Sequence, residues 1–125
     1  MGQKPRTILC VEKEGAQRDE RVAALESAGY TVIPTQDVRE ALRIFISQEV
    51  EGVLLDLQLG NGKKKSLRAE MNSIRPRVPI VALCPADRKI SRAAHFDHAF
   101  REGKGNDELI AILRHLLDRD DAGTR

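Results

Sequence analysis

Short apolar runs alternate along the chain with stretches in which apolar residues recur every three or four positions. Thr7-Ile8-Leu9-Cys10-Val11, Gly52-Val53-Leu54-Leu55 and Ile80-Val81-Ala82-Leu83 read as strands buried on both faces of a parallel sheet. Tyr30 to Pro34 reads as a second, shorter strand and His98 to Arg101 as a brief fifth. Arg18 to Ala28 carries Val22, Leu25 and Ala28 at helical spacing, with Gly29 as its stop. Asp37, with Glu40 three residues later, is a capping-box-like start for a helix to about Ser47. Its apolar face is Val38, Ala41, Leu42 and Phe45. A helix from about Ser66 to Ile74 lines up Leu67, Met71 and Ile74, and Pro76 and Pro79 bracket the turn into the fourth strand. Asp87 to Ala94 allows only a short helix. Asn106 is a good cap for the last helix, whose broad face is Leu109, Ile110, Ile112, Leu113, Leu116 and Leu117. Residues 118–125 read as a polar tail that frays.

Strand and helix alternating in five units imply an α/β fold, with helices on both faces of a parallel sheet and right-handed crossovers. The 125 residues suit one domain, 1–125, with its core between 7 and 117. Charged residues at 32% and hydrophobic ones at 41% are ordinary for a globular domain. A net charge of +2 is too small to imply nucleic-acid binding. One Tyr, three Phe and no Trp argue against a base-stacking platform. No apolar stretch reaches membrane-spanning length and no signal peptide opens the chain, so a cytoplasmic location is expected. Cys10 and Cys84 lie inside apolar runs and read as buried thiols, and no zinc spacing is present.

Candidate chemistry sits where strands end. Glu12 closes the first run and Asp56 the third. Ligands of open α/β sheets collect beyond the carboxyl ends of the strands, so two acids there point to a small anionic site. Against this, Asp56 also suits a loop or cap acid, and Glu12 a solvated one.

These residues resemble the receiver domain of two-component response regulators. The resemblance is carried by Ile8-Leu9-Cys10-Val11-Glu12, Ala28-Gly29-Tyr30-Thr31-Val32, Val53-Leu54-Leu55-Asp56-Leu57 and Val78-Pro79-Ile80-Val81-Ala82-Leu83, and it covers about Thr7 to Leu117. It implies a flavodoxin-like (βα)5 fold with strand order 2-1-3-4-5. It also implies that Asp56 accepts a phosphoryl group from a histidine kinase or phosphotransfer protein. Mg²⁺ would be held by Glu12, Asp56 and the Gln58 carbonyl.

The chain departs from that pattern at several places. Lys13 stands at the second acidic position, Cys84 at the hydroxyl position and Ala99 at the aromatic of strand five. Arg101-Glu102-Gly103 falls where a Lys-Pro pair is expected, which puts Glu102 in the pocket, and Gly60 replaces a proline. The segment after Cys84 is about one helical turn short, giving a shortened fourth helix. An ammonium about 4 Å from the metal position would oppose a cation by up to ~4 kcal/mol at an effective dielectric of about 20. Lys13 is therefore expected to pair with Asp56 or Glu12 and to leave Mg²⁺ binding weak. A thiol is a poor hydrogen-bond donor, so Cys84 couples poorly to a phosphoryl group. The run Lys63-Lys64-Lys65 reads as a solvated face.

The resulting expectation is a degenerate, pseudo-receiver-like module that is not an enzyme. It would dock a downstream protein, or a second copy of itself, through the short fourth helix, strand five and the last helix. After Leu117 the remaining tail is too small for a helix-turn-helix output unit. A fully phosphorylatable receiver with an atypical pocket is one rival reading. The other is a flavodoxin-like ligand binder or enzyme, which lacks support because Glu12-Lys13-Glu14 stands where a phosphate-binding glycine loop would be.

Overall fold

The computed structural model describes residues 4–59, 64–85 and 98–123. Five strands, β1 (Thr7–Val11), β2 (Thr31–Thr35), β3 (Gly52–Asp56), β4 (Ile80–Cys84) and β5 (His98–Arg101), form one parallel sheet in the order β2-β1-β3-β4-β5. The helices are α1 (Ala16–Ser27), α2 (Val38–Ser47), α3 (Lys64–Ile74) and α4 (Asn106–Gly123). The short helix read over Asp87 to Ala94 lies outside the described residues, as do the loop Gly60-Asn61-Gly62 and Lys63.

Side chains alternate between the faces of a strand, and each face has its own core. Ile8, Cys10, Leu54, Val81, Leu83 and Phe100 meet Leu25 of α1 and Leu109, Leu113 and Leu117 of α4. The opposite face joins Leu9, Val11, Val53, Leu55 and Ile80 to Ala41 and Phe45 of α2 and Leu67 and Met71 of α3. Gly52 keeps the first of these faces close: a Cβ there would stand 3.0 Å from Ile8 Cδ1, so the Ile8 side chain would have to give way. Pro34 lies in β2, an edge strand, where the missing N–H leaves no ladder bond unmade on the open side.

The helix ends follow their sequence signals. Gly29, at φ 100°, closes α1 as the left-handed residue of a Schellman turn, with Gly29 N–H donating to Glu26 O at 3.0 Å and Tyr30 N–H to Leu25 O at 3.1 Å. Asp37 caps α2 by accepting from Arg39 N–H at 2.8 Å and Glu40 N–H at 3.2 Å. The other half of the expected capping box is supplied differently, since Asp37 N–H donates to the Thr35 hydroxyl at 3.2 Å.

Three expectations are corrected. The polar segment after Leu117 continues α4 to Gly123, because charged residues and Ala sustain a helix without any apolar stripe to announce it. Ile74 does not share the burial of Leu67 and Met71 and stays 44% exposed in the last turn of α3. α1 begins at Ala16, two residues before the expected Arg18.

Candidate functional site

The register brings every described candidate residue to one end of the sheet. Val11 pairs with Leu55, so Glu12 and Asp56 leave β1 and β3 side by side. Asp56 pairs with Leu83 and Cys84 with Arg101, which carries the row on to Glu102 at the end of β5. Backbone bonds hold these strand ends together: Glu12 N–H to Thr35 O at 2.9 Å, Leu57 N–H to Leu83 O at 3.1 Å and Glu102 N–H to Cys84 O at 2.8 Å.

The period of two also sets where Glu12 points. It follows Ile8 and Cys10 on the α1 and α4 side, and the Cys10 thiol donates to Glu12 Oε1 at 3.6 Å. Glu12 is 2% exposed, and a carboxylate so buried needs a partner with its charge. That partner is Arg21, on the inner stripe of α1 one turn before Leu25 and itself 2% exposed. Arg21 Nε donates to Glu12 Oε1 at 2.7 Å and Nη2 to Oε2 at 3.0 Å, a bidentate fork. The same Nη2 reaches both Glu102 oxygens at 2.9 Å, and Nη1 donates to Asn106 Oδ1 at 2.9 Å. One guanidinium therefore ties α1, β1, the end of β5 and the start of α4 together.

Burial disfavours the charge on Arg21, but the hydrogen bonds and charges of Glu12 and then Glu102 outweigh it and push the guanidinium pKa up. Burial pushes the Glu102 carboxyl up as well; Arg21 draws it back down, and the negative charges of Glu12 and Asp56 add to the rise. Glu102 is further held by Gln17, whose Nε2 donates to its Oε2 at 2.7 Å. A cleft of about 250 Å³ lined by Gln17, Glu20, Arg21, Glu102 and Asn106 opens beside this cluster.

Asp56 is half-buried, and its Oδ1 accepts the Gln58 N–H at 2.9 Å, which orients the carboxylate at the strand end. Gln58 itself is exposed. Cys84 is buried with Ala82, against Leu57 and Ala99. Burial raises its thiol pKa, the neighbouring Arg101 lowers it, and Glu102 and Asp56 raise it again. Cys10 is pushed up by burial and by Glu12. Both cysteines are free and buried, and burial disfavours the thiolate form that a nucleophile needs.

The expected pairing of Lys13 is corrected. Lys13 is exposed, and the cation on Glu12 is Arg21. Strand alternation turns Glu12 inward toward α1 and leaves the next residue pointing out to water. Asn106, expected as a helix cap, instead gives its side-chain oxygen to Arg21.

A hard divalent cation needs several oxygen ligands, usually including one or two carboxylates. Of the three expected ligands, Glu12 has both oxygens committed to Arg21. Among the described residues, no cluster of three or more His, Cys, Asp or Glu is placed to hold a metal. The residues present therefore do not fit a tight Mg²⁺ site.

The chain is similar to the response regulator MprA of Mycolicibacterium vanbaalenii, at 29% identity over 119 residues, or 92% of this chain. It spans about half the length of that relative, 52%. The receiver domain of the sensor histidine kinase PA1611 from Pseudomonas aeruginosa, a structure with a magnesium ion coordinated in its active-site cleft, superposes with a TM-score of 0.81 at 25% identity, covering 92% of this chain and 99% of that one. A CheY-like receiver domain from Methanospirillum hungatei shares the fold, with a TM-score of 0.85 at 19% identity over 96% of this chain and 99% of that one. No family model matches the sequence. Sequence similarity over nearly the whole chain, the shared fold and the acids at the ends of β1 and β3 support a receiver domain of the two-component response-regulator type.

Proposed function

We propose that this receiver domain acts mainly as a docking module, with Asp56 as its phosphoacceptor and a pocket held in one arrangement by Arg21. The observation that carries the reading is the cluster at the strand ends beside Asp56, in which buried Arg21 and Glu12 join part-buried Glu102 and Asn106. Its donor would be a histidine kinase or phosphotransfer protein in the cytoplasm. In the reaction, an Asp56 carboxylate oxygen attacks the phosphorus of a phosphohistidine in line, the P–N bond breaks, and the imidazole leaves with its electron pair. The Gln58 N–H on Oδ1 fixes the orientation of the attacking carboxylate. Mg²⁺ binding would be weak, because Glu12 is already neutralised.

Output would pass through a fixed surface on β5 and α4, to a downstream protein or a second copy of the chain. Two features favour a fixed surface over a switch. Cys84 is packed against apolar neighbours where a hydroxyl would follow the phosphoryl group, and Ala99 has no ring to swing. A modification biases output only if some element has two arrangements to choose between. Incubation with a small acyl phosphate, read by intact mass, tests the phosphoacceptor assignment. One phosphoryl adduct on the wild type and none on Asp56→Asn is expected. An adduct that persists in Asp56→Asn, or no adduct on either protein, would contradict it.

A further inference from the structure

We infer that Arg21 is a tethered internal cation that takes a divalent metal's place at Glu12, so the acidic pocket assembles without a metal ion. This rests on the receiver reading of the pocket, but not on Asp56 being phosphorylated. At a metal site, the carboxylates at the strand ends turn their lone pairs toward one central positive charge. Here both Glu12 oxygens and both Glu102 oxygens converge on the guanidinium of Arg21, at 2.7 to 3.0 Å. The remaining donor, Nη1, is taken by Asn106 Oδ1 at 2.9 Å. The planar fork of arginine fits two carboxylates in a way that the point charge of a lysine does not.

Charge alone does not exclude a metal. Glu12 and Glu102 together carry more negative charge than Arg21 alone cancels. The exclusion comes from the lone pairs. A divalent ion recruits Glu12 only by breaking a buried, bidentate, charge-assisted pair, which leaves the guanidinium with Glu102 and Asn106 alone. Arg21 is covalently part of α1, so its effective concentration at the site does not depend on the ion content of the medium. The consequence is a receiver pocket whose folded geometry is indifferent to Mg²⁺.

Titration with Mg²⁺ alone, by calorimetry and by thermal unfolding over a range of Mg²⁺, tests this. Wild type should show weak binding and a melting temperature that Mg²⁺ does not move. Arg21→Lys keeps a positive charge and the fold but loses the fork, and should bind Mg²⁺ more tightly than wild type. Arg21→Met combined with Glu102→Gln removes the cation and one of its two carboxylates. It should bind Mg²⁺ at least about tenfold more tightly than wild type and be stabilised by the ion in proportion to occupancy. If that double variant is unfolded without metal, the expected result is recovery of the fold on adding Mg²⁺. Tight Mg²⁺ binding by the wild type would overturn the inference. So would an unchanged affinity in both variants, or a double variant that Mg²⁺ neither stabilises nor refolds. None of these readouts depends on an Asp56 adduct, so this inference and the phosphoacceptor assignment fail separately.

Discussion

Arg21→Met is expected to destabilise the domain by about 3–5 kcal/mol, the cost of leaving buried carboxylates without their partner charge. Glu12 would lose both of its charge-assisted bonds, and Glu102 and Asn106 would each lose their link to α1. The methionine stem replaces most of the packing of the arginine side chain, so the loss reports the charge and its hydrogen bonds more than volume. Lys13→Met is the matched control. Lys13 is exposed, and its replacement should change stability by no more than about 0.5 kcal/mol. Chemical denaturation of the two variants checks both values. A large cost at Lys13 with little at Arg21 would reverse the assignment of the pocket's cation.

Phe100→Ala should be similarly severe, at about 3–5 kcal/mol. The Phe100 ring is 2% exposed and fills the space between β4 and α4, among Leu83, Leu109 and Leu113. Phe100 and its neighbour Ala99 illustrate how one residue decides a side chain's role in a strand. Ala99 packs with Cys84 on the side where a mobile aromatic would be expected, whereas Phe100 points the other way and anchors α4. Its loss should loosen α4 and, with it, the start of that helix where Asn106 holds Arg21. Ile46→Ala, at a position 54% exposed on α2, should stay within about 0.5 kcal/mol. Thermal or denaturant unfolding of both variants distinguishes core from surface directly.

Much of this architecture was legible in the sequence, because the signals there are local. Apolar runs marked three of the strands by composition, and Asp37 and Gly29 marked the helix ends by the turns that they make. The placement of Asp56 and Glu12 followed from those runs, since a residue that closes a buried strand must emerge at its carboxyl end. Arg21 gives no periodic signal, because helical periodicity marks apolar residues and the inner stripe of α1 carries a charged one. A usable signal did exist. Glu12 continues the alternation of Ile8 and Cys10, which aims it at α1, and Arg21 lies one turn before Leu25 on the stripe that faces it. A buried acid on one element and a cation at a buried position on the next imply each other. The receiver resemblance implied Glu102 in the pocket, but its sharing of Arg21 depends on tertiary geometry that spacing does not encode. The helical extension of α4 past Leu117 was missed for the opposite reason: it buries no apolar stripe, so no periodicity reveals it.

On the proposed reading, Arg21 holds the pocket in a single arrangement, so events at Asp56 do not reach the β5 and α4 surface. Amide-resonance spectra of the full chain, recorded with and without beryllofluoride and Mg²⁺ as a phosphate mimic, test it most directly. Shifts confined to residues around Glu12 and Asp56 are expected, with the resonances of His98 to Leu117 unmoved. Large shifts across His98 to Leu117 would show a working switch and contradict it.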